Sequence, residues 1–412
     1  MAEATVGNQK PMRALLGWGV GLGIALMGSA VQAIPITLPQ GSPEAIPETN
    51  PFIDSEFTDP VIPQPPVPRT LTPFEQRRIR EEADAARLEA EELFASGDVE
   101  GAFALWTREI LLLQTLGPQT EIEALGRVGE IAWAEERQTE VLFITERLEY
   151  LEQDAIVAQE LQGERLDAFA IAYEQVHALP EATDLREQQL AIARSTGDQA
   201  EALRVLAILG PLYRAQFNYL RAAQVYEELL AAARATGDFY SAGIFLKELA
   251  EIYTKAAEPE NSLAIRQELA NYYFETQQYR LIPALSLEIG DDYLALEQPE
   301  QASQLYQRAF KEAWAVEQFS IAGDALNKLG DLYRSYQQPQ FAIQVYGELL
   351  KIYQQSYNLY GLMKTYEKIG DIQVEQGNLG SAQNSYTQAL ELAFRLDHQT
   401  EYYEERLNAI AQ

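Results

Sequence analysis

The chain repeats itself every 40 residues. Tyrosine recurs at Tyr173, Tyr213, Tyr253, Tyr293 and Tyr333. A small residue recurs at Ala182, Ala222, Ser262, Ala302, Ala342 and Ala382, and a second aromatic at Tyr226, Tyr306, Tyr346 and Tyr386, with Arg266 breaking the series. LEIGDDY (287–293), LNKLGDLY (326–333) and YEKIGDIQ (366–373) are copies of one motif, and ARSTGD (193–198) returns as ARATGD (233–238). The small residues Ala90, Gly129, Ala170, Gly210, Ala250, Gly290, Gly330 and Gly370 mark eight units, with steps of 39, 41, 40, 40, 40, 40 and 40. Self-similarity at this period means an array in which each unit contacts only its neighbours.

Apolar residues recur at helical spacing from Phe74 onward, and no strand-like alternation lasts. Within a unit, Gly330 permits close helix approach and Tyr333 lies on the same face. A break follows at Gln337-Gln338-Pro339, and a second helix then brings Ala342 and Tyr346 onto one face. Neither helix can bury its face alone, so stacking creates the core. Residues 398–412 read as a charged amphipathic helix that caps the array.

The spacing of Gly330, Tyr333, Ala342 and Tyr346 resembles the tetratricopeptide repeat in an extended, 40-residue form. HEAT and armadillo arrays share the period, but the Gly–Tyr then Ala–Tyr spacing favours the tetratricopeptide form. The resemblance covers roughly 80–400. Units two and three depart from it, with Thr145 and Arg186 in place of the second aromatic. It implies an all-α, right-handed superhelical solenoid of about eight helix–turn–helix repeats, binding proteins or peptides along a groove lined by first helices.

Composition removes most alternatives. The net charge is −31, from 31 basic and 62 acidic residues, which argues against nucleic acid as partner. Cysteine is absent, and histidine is limited to His177 and His398, which have no Ser or Glu constellation. Phosphate-binding G-x-x-x-x-G-K and the G-x-S-x-G elbow are missing. The chain is expected not to be an enzyme. The rival, a helical-solenoid envelope carbohydrate-active enzyme, needs a catalytic domain, and 74–412 leaves no repeat-free stretch for one.

Residues 1–33 read as an address. Lys10 and Arg13 precede an uncharged apolar run from Ala14 to Val31, and Val31-Gln32-Ala33 offers small residues for cleavage after Ala33. Cleavage leaves a mature charge of −32, since Lys10, Arg13 and Glu3 are lost. An uncleaved anchor through 14–31 is the alternative. Either form places the rest outside the cytoplasm, in the periplasm or, alternatively, the thylakoid lumen. Residues 34–73 hold 11 of the 19 prolines, including Pro63, Pro65, Pro66 and Pro68, and are expected to form a semi-rigid solvated linker. The solenoid is then 74–412. A leader, a short linker and an almost wholly repeat-built mature chain are together similar to the processing-associated periplasmic repeat proteins of oxygenic photosynthetic bacteria. That likeness implies an assembly factor for photosystem II with a link to manganese supply.

The candidate site also rests on the resemblance, since the residue after the family's small position usually faces the groove. Here that column reads Glu91, Glu130, Ile171, Pro211, Glu251, Asp291, Asp331 and Asp371. Six of eight are carboxylates, whereas 62 acids in 412 residues would give little more than one by chance. An acidic ladder would attract a basic or extended protein segment, or divalent cations. Solvated residues of the repeat consensus are the plainer explanation of the same pattern. A periplasmic manganese- or calcium-binding chaperone is the alternative function. Hard cations need several oxygens at roughly 2.0–2.6 Å, and helices roughly 8–10 Å apart cannot close such a site with one residue per unit. A second carboxylate is therefore required, as at Asp291-Asp292 or Glu404-Glu405. The recurrent tyrosines are expected in the core.

Overall fold

The computed structural model describes residues 49–411 apart from 54–56, 66 and 68. The leader (1–33) and the first part of the linker lie outside the described residues. Those described form seventeen α-helices and no strands. The first eight are α1 (Pro73–Ser96), α2 (Val99–Gln114), α3 (Pro118–Ala134), α4 (Gln138–Val157), α5 (Gly163–Gln175), α6 (Leu179–Thr196), α7 (Gln199–Ala215) and α8 (Tyr219–Thr236). They continue with α9 (Phe239–Lys255), α10 (Pro259–Glu275), α11 (Ile282–Ala295), α12 (Pro299–Ala315), α13 (Phe319–Ser335), α14 (Pro339–Gln355), α15 (Leu359–Glu375), α16 (Leu379–Leu396) and α17 (Thr400–Ala411). Consecutive helices pair into eight units, and α17 closes the end. The chain is a solenoid of tetratricopeptide-like helix pairs.

Local chemistry sets the helix ends. Pro73, Pro118, Pro259, Pro299 and Pro339 stand in the first turns, where a missing N–H costs nothing. Asp98, Asp198, Asn218, Asp238 and Asn358 cap helices by accepting a backbone N–H three residues on. The exits are more regular still. A residue in the left-handed region recurs every 20 residues: His177, Gly197, Phe217, Gly237, Ala257, Gln277, Glu297, Glu317, Gln337, Tyr357, Gly377 and Asp397. The turn there returns N–H groups to the last carbonyls, as Gln337 N does to Arg334 O (3.1 Å) and Gln338 N to Tyr333 O (2.8 Å). Each 40-residue unit is thus two 20-residue helix modules.

The two sequence columns meet in the core. All eight small residues lie buried on first helices, from Ala90 on α1 to Gly370 on α15. The ring of the second-helix tyrosine lies across the bare Cα of its partner glycine. A Cβ on Gly370 would come within 2.8 Å of Tyr386 and one on Gly290 within 2.5 Å of Tyr306; Gly330 and Tyr346 are closer still. The first-helix tyrosines are buried or half-buried, and their hydroxyls reach the preceding unit: Tyr173 donates to Glu152 (2.8 Å) and Tyr253 to Glu227 (2.5 Å). In units three and five, Arg186 and Arg266 occupy the aromatic's place and are buried. Arg186 pairs with Glu174 (2.6 Å) and Asp167 (2.5 Å), and Arg266 with Asp292 (2.6 Å).

One junction differs. Elsewhere a first helix packs on its own second helix and on the second helix before it, but α5 packs on α3 far more than on α4. Gly126 makes this possible, since a Cβ there would come within 2.9 Å of the Ala172 Cα. The junction coincides with the single 41-residue step, between Gly129 and Ala170.

The linker is shorter than expected from its prolines. Phe57, Val61, Ile62 and Leu71 pack against Ile79 and Ala83 of α1 and Leu112 of α2, and Phe52 is buried in the first core cluster. Arg108 of α2 donates to Asp59 (2.8 Å), Gln114 to the Phe52 carbonyl (3.2 Å), and Asn50 to the Phe143 carbonyl of α4 (2.9 Å). Proline does not keep the apolar residues here from burial, so Phe52, Phe57, Val61, Ile62 and Leu71 strap the open end of the first pair.

Candidate functional site

The acidic column stands on consecutive first helices, one residue beyond the buried small position, and it divides in two. In the C-terminal half each aspartate is clasped. Asp291 accepts from the Tyr306 hydroxyl (2.7 Å) of its own pair and from Lys328 (2.9 Å) on the next first helix. Asp331 accepts from Tyr346 (2.5 Å) and Lys368 (2.7 Å) in the same way. Asp371 accepts from Tyr386 (2.7 Å) and from Arg406 of α17. Burial first, and then the adjoining aspartate, push the Tyr306, Tyr346 and Tyr386 phenols far above the usual tyrosine range. They stay protonated donors. These three aspartates tie the buried tyrosine of one unit to the cation of the next, so most of their charge is spent inside the protein.

The polarity reverses further back. Arg214 of unit four reaches forward to Glu248 and to Glu251 (3.5 Å), and Arg266 of unit five to Glu288 (3.1 Å). Glu251 is held chiefly by Lys255 (2.7 Å), whose hydrogen bond lowers its pKa. The N-terminal members are freer. Among the described residues Glu91 is exposed with no ion pair, and Glu130 meets only the Gln175 amide at 3.4 Å. Ile171 and Pro211 are exposed at their places in the column.

The suggested metal pair does not converge. Asp291 faces Lys328 and Tyr306, whereas Asp292 is buried against Arg266 and Ser262 (3.2 Å). Among the described residues no group of three or more histidines, cysteines or acids is placed to hold a metal ion. His177 stacks on Trp133 and His398 lies near Tyr360, so the two histidines share no site. Among the described residues no helix is long and apolar enough to cross a membrane.

The clasping lysines were missed from sequence, although a signal existed. Lys328 and Lys368 both stand two residues before the glycine of the repeated motif. A column of cations that shadows a column of acids one unit away marks ion pairing between units.

Known proteins resemble parts of the chain. The family model "SNAP: Soluble NSF attachment protein, SNAP" matches residues 291–396, from α11 to the end of α16. No protein with a curated description matches. Several solved structures resemble the chain in part. BtubC (BKLC) from P. vanneervenii is 16% identical, covering 53% of this chain and 92% of its own, with a TM-score of 0.39. A signal-transduction ATPase with a tetratricopeptide repeat sensor, from Pyrococcus horikoshii, is 16% identical over 81% of this chain and 52% of its own, TM-score 0.39. A Rap protein complexed with competence and sporulation factor is 14% identical over 81% and 98%, TM-score 0.32.

Proposed function

We propose that the chain is a non-enzymatic, extracytoplasmic interaction scaffold whose first-helix face takes an extended segment of a partner protein. The observation that carries this reading is the exposed column on successive first helices. Eight units present the same position outward, and the N-terminal five leave it largely free of the lysine clasps seen beyond. A ligand that runs from unit to unit fits such a surface, because each unit adds one similar contact. The open carboxylates Glu91 and Glu130 favour a basic segment. The clasped aspartates move the expected contact away from Asp291, Asp331 and Asp371 and toward the N-terminal half.

The location outside the cytoplasm rests on residues 1–33. N-terminal sequencing of the native protein is expected to begin at Ile34; a full-length chain resisting carbonate extraction establishes the anchor instead. A role in assembling a membrane complex such as photosystem II rests on the likeness of leader, linker and repeat-built chain. The binding face is tested by photocross-linking in cells. A photoreactive residue at position 130 or 211 should trap one and the same partner, and one at Glu300 or Glu391 on second helices should not. Trapping from the second helices alone would move the binding surface.

A further inference from the structure

The first-helix face carries one exposed aromatic platform, built where the array is irregular. Gly126 draws α5 against α3, and this brings the His177 ring onto the Trp133 indole, 4.5 Å apart and 12° from parallel. His177 covers one face of Trp133, which nevertheless stays 50% exposed. Ile171 on the adjacent first helix is 42% exposed. An indole and an aliphatic side chain left to water on neighbouring helices are costly unless something covers them.

The charges around the platform say what would. Glu130 lies one helical turn before Trp133, and Glu135 and Glu136 follow it in the turn. Among the described residues none of the three is in an ion pair. The nearest cation in sequence, Arg137, is committed to Glu100 and Glu140 and lies over Phe103. Three carboxylates thus lie within one helical turn of the indole along the chain. A planar cation fits the indole best: a guanidinium stacks on the ring and turns its N–H groups toward the acids. An ammonium is more strongly hydrated and lacks the flat face.

We infer that Trp133 is the anchor for an arginine of the partner segment, with Glu130, Glu135 and Glu136 as its counter-charges and Ile171, further back along α5, receiving an aliphatic side chain of the same segment. This rests on the scaffold reading above and names the chemistry of the partner. A displayed library of random twelve-residue peptides, panned on the mature chain, is the probe. The recovered peptides should share an arginine and, a few residues away, an aliphatic residue. Trp133→Ala should weaken them about tenfold, in line with a desolvated cation–π contact. Glu130→Gln/Glu135→Gln/Glu136→Gln should weaken them and flatten the salt dependence, while Glu260→Gln/Glu300→Gln/Glu391→Gln, with the same charge change on second helices, should not. Circular dichroism confirms that each variant is folded before it is scored. Peptides without a basic residue, or binding indifferent to Trp133, would overturn the inference and leave the scaffold standing. A library that yields no binder would bring down both.

Discussion

Glycine and tyrosine, as one contact, carry the repeat. Gly330 is not there for a turn; it lies inside α13, and its missing Cβ is the space that the Tyr346 ring occupies. Gly330→Ala should cost about 1–3 kcal/mol, because a rigid ring rather than a flexible side-chain end must move. In a Tyr346→Ala background the same change should cost almost nothing, and urea unfolding of the four proteins gives the coupling. Equal costs in both backgrounds would mean that the two columns do not meet. This contact was legible in the sequence as two columns. That they touch was not, since periodicity fixes faces and leaves depth open. Arg186 and Arg266 show the same limit. Each reads as a gap in the aromatic series, and only the structure shows that Glu174, Asp167 and Asp292 make a buried arginine tenable.

At the scale of elements, the helix pairs followed from the pattern because polar breaks, many of them with proline or glycine, fall between the apolar runs. The strap did not. Proline density describes the backbone a segment can adopt, and the described residues between 49 and 71 obey it by staying non-helical. Burial depends on the apolar residues between the prolines and on an uncovered surface nearby, and the first unit supplies that surface in Ile79, Ala83 and Leu112. The cost of removing it should stay local, because units in such arrays contact only their neighbours. Phe57→Ser with Ile62→Ser should speed amide exchange in α1 and α2 and leave α13 to α16 unchanged. Uniform acceleration along the chain would show one cooperative block, and no change would show that the strap seals nothing. At the other end, α17 performs the capping role, with Tyr403 buried and donating to Glu367 (2.8 Å) and Arg406 on Asp371.

The whole molecule holds twice as many acids as bases, and its stability should carry that mark. Burial first, then the neighbouring Glu181, push the Glu149 and Glu152 carboxyls up, and burial does the same to Glu109 and Asp292. A carboxyl with a raised pKa binds its proton more tightly when folded. Folding then takes up protons, and stability rises as pH falls toward the unfolded value near ~4.3. Glu251 and Glu201, lowered by their hydrogen bonds to Lys255 and Arg204, act in the opposite sense: their contribution is present above that value and is lost below it. The melting temperature should therefore climb from pH 8 to about pH 5 and turn down below about pH 4. A flat profile, or a maximum above pH 7, would mean that the carboxylates on α4 and α6 do not burden the fold.

The same excess of acid made the column read as a uniform ladder from sequence. A count of carboxylates cannot show that three of the six face a lysine or arginine from the next unit. The division between clasped aspartates and open glutamates is the central claim, and urea unfolding tests it most directly. Asp291→Asn/Asp331→Asn/Asp371→Asn breaks three half-exposed clasps and should lower stability by roughly 1–3 kcal/mol, given what partly exposed charged hydrogen bonds contribute. Glu91→Gln/Glu130→Gln/Glu135→Gln removes the same charge from α1 and the end of α3, at carboxylates in no ion pair among the described residues, and should leave the midpoint within error of the natural chain. Equal shifts in the two triple variants, or a larger one in the second, would contradict it.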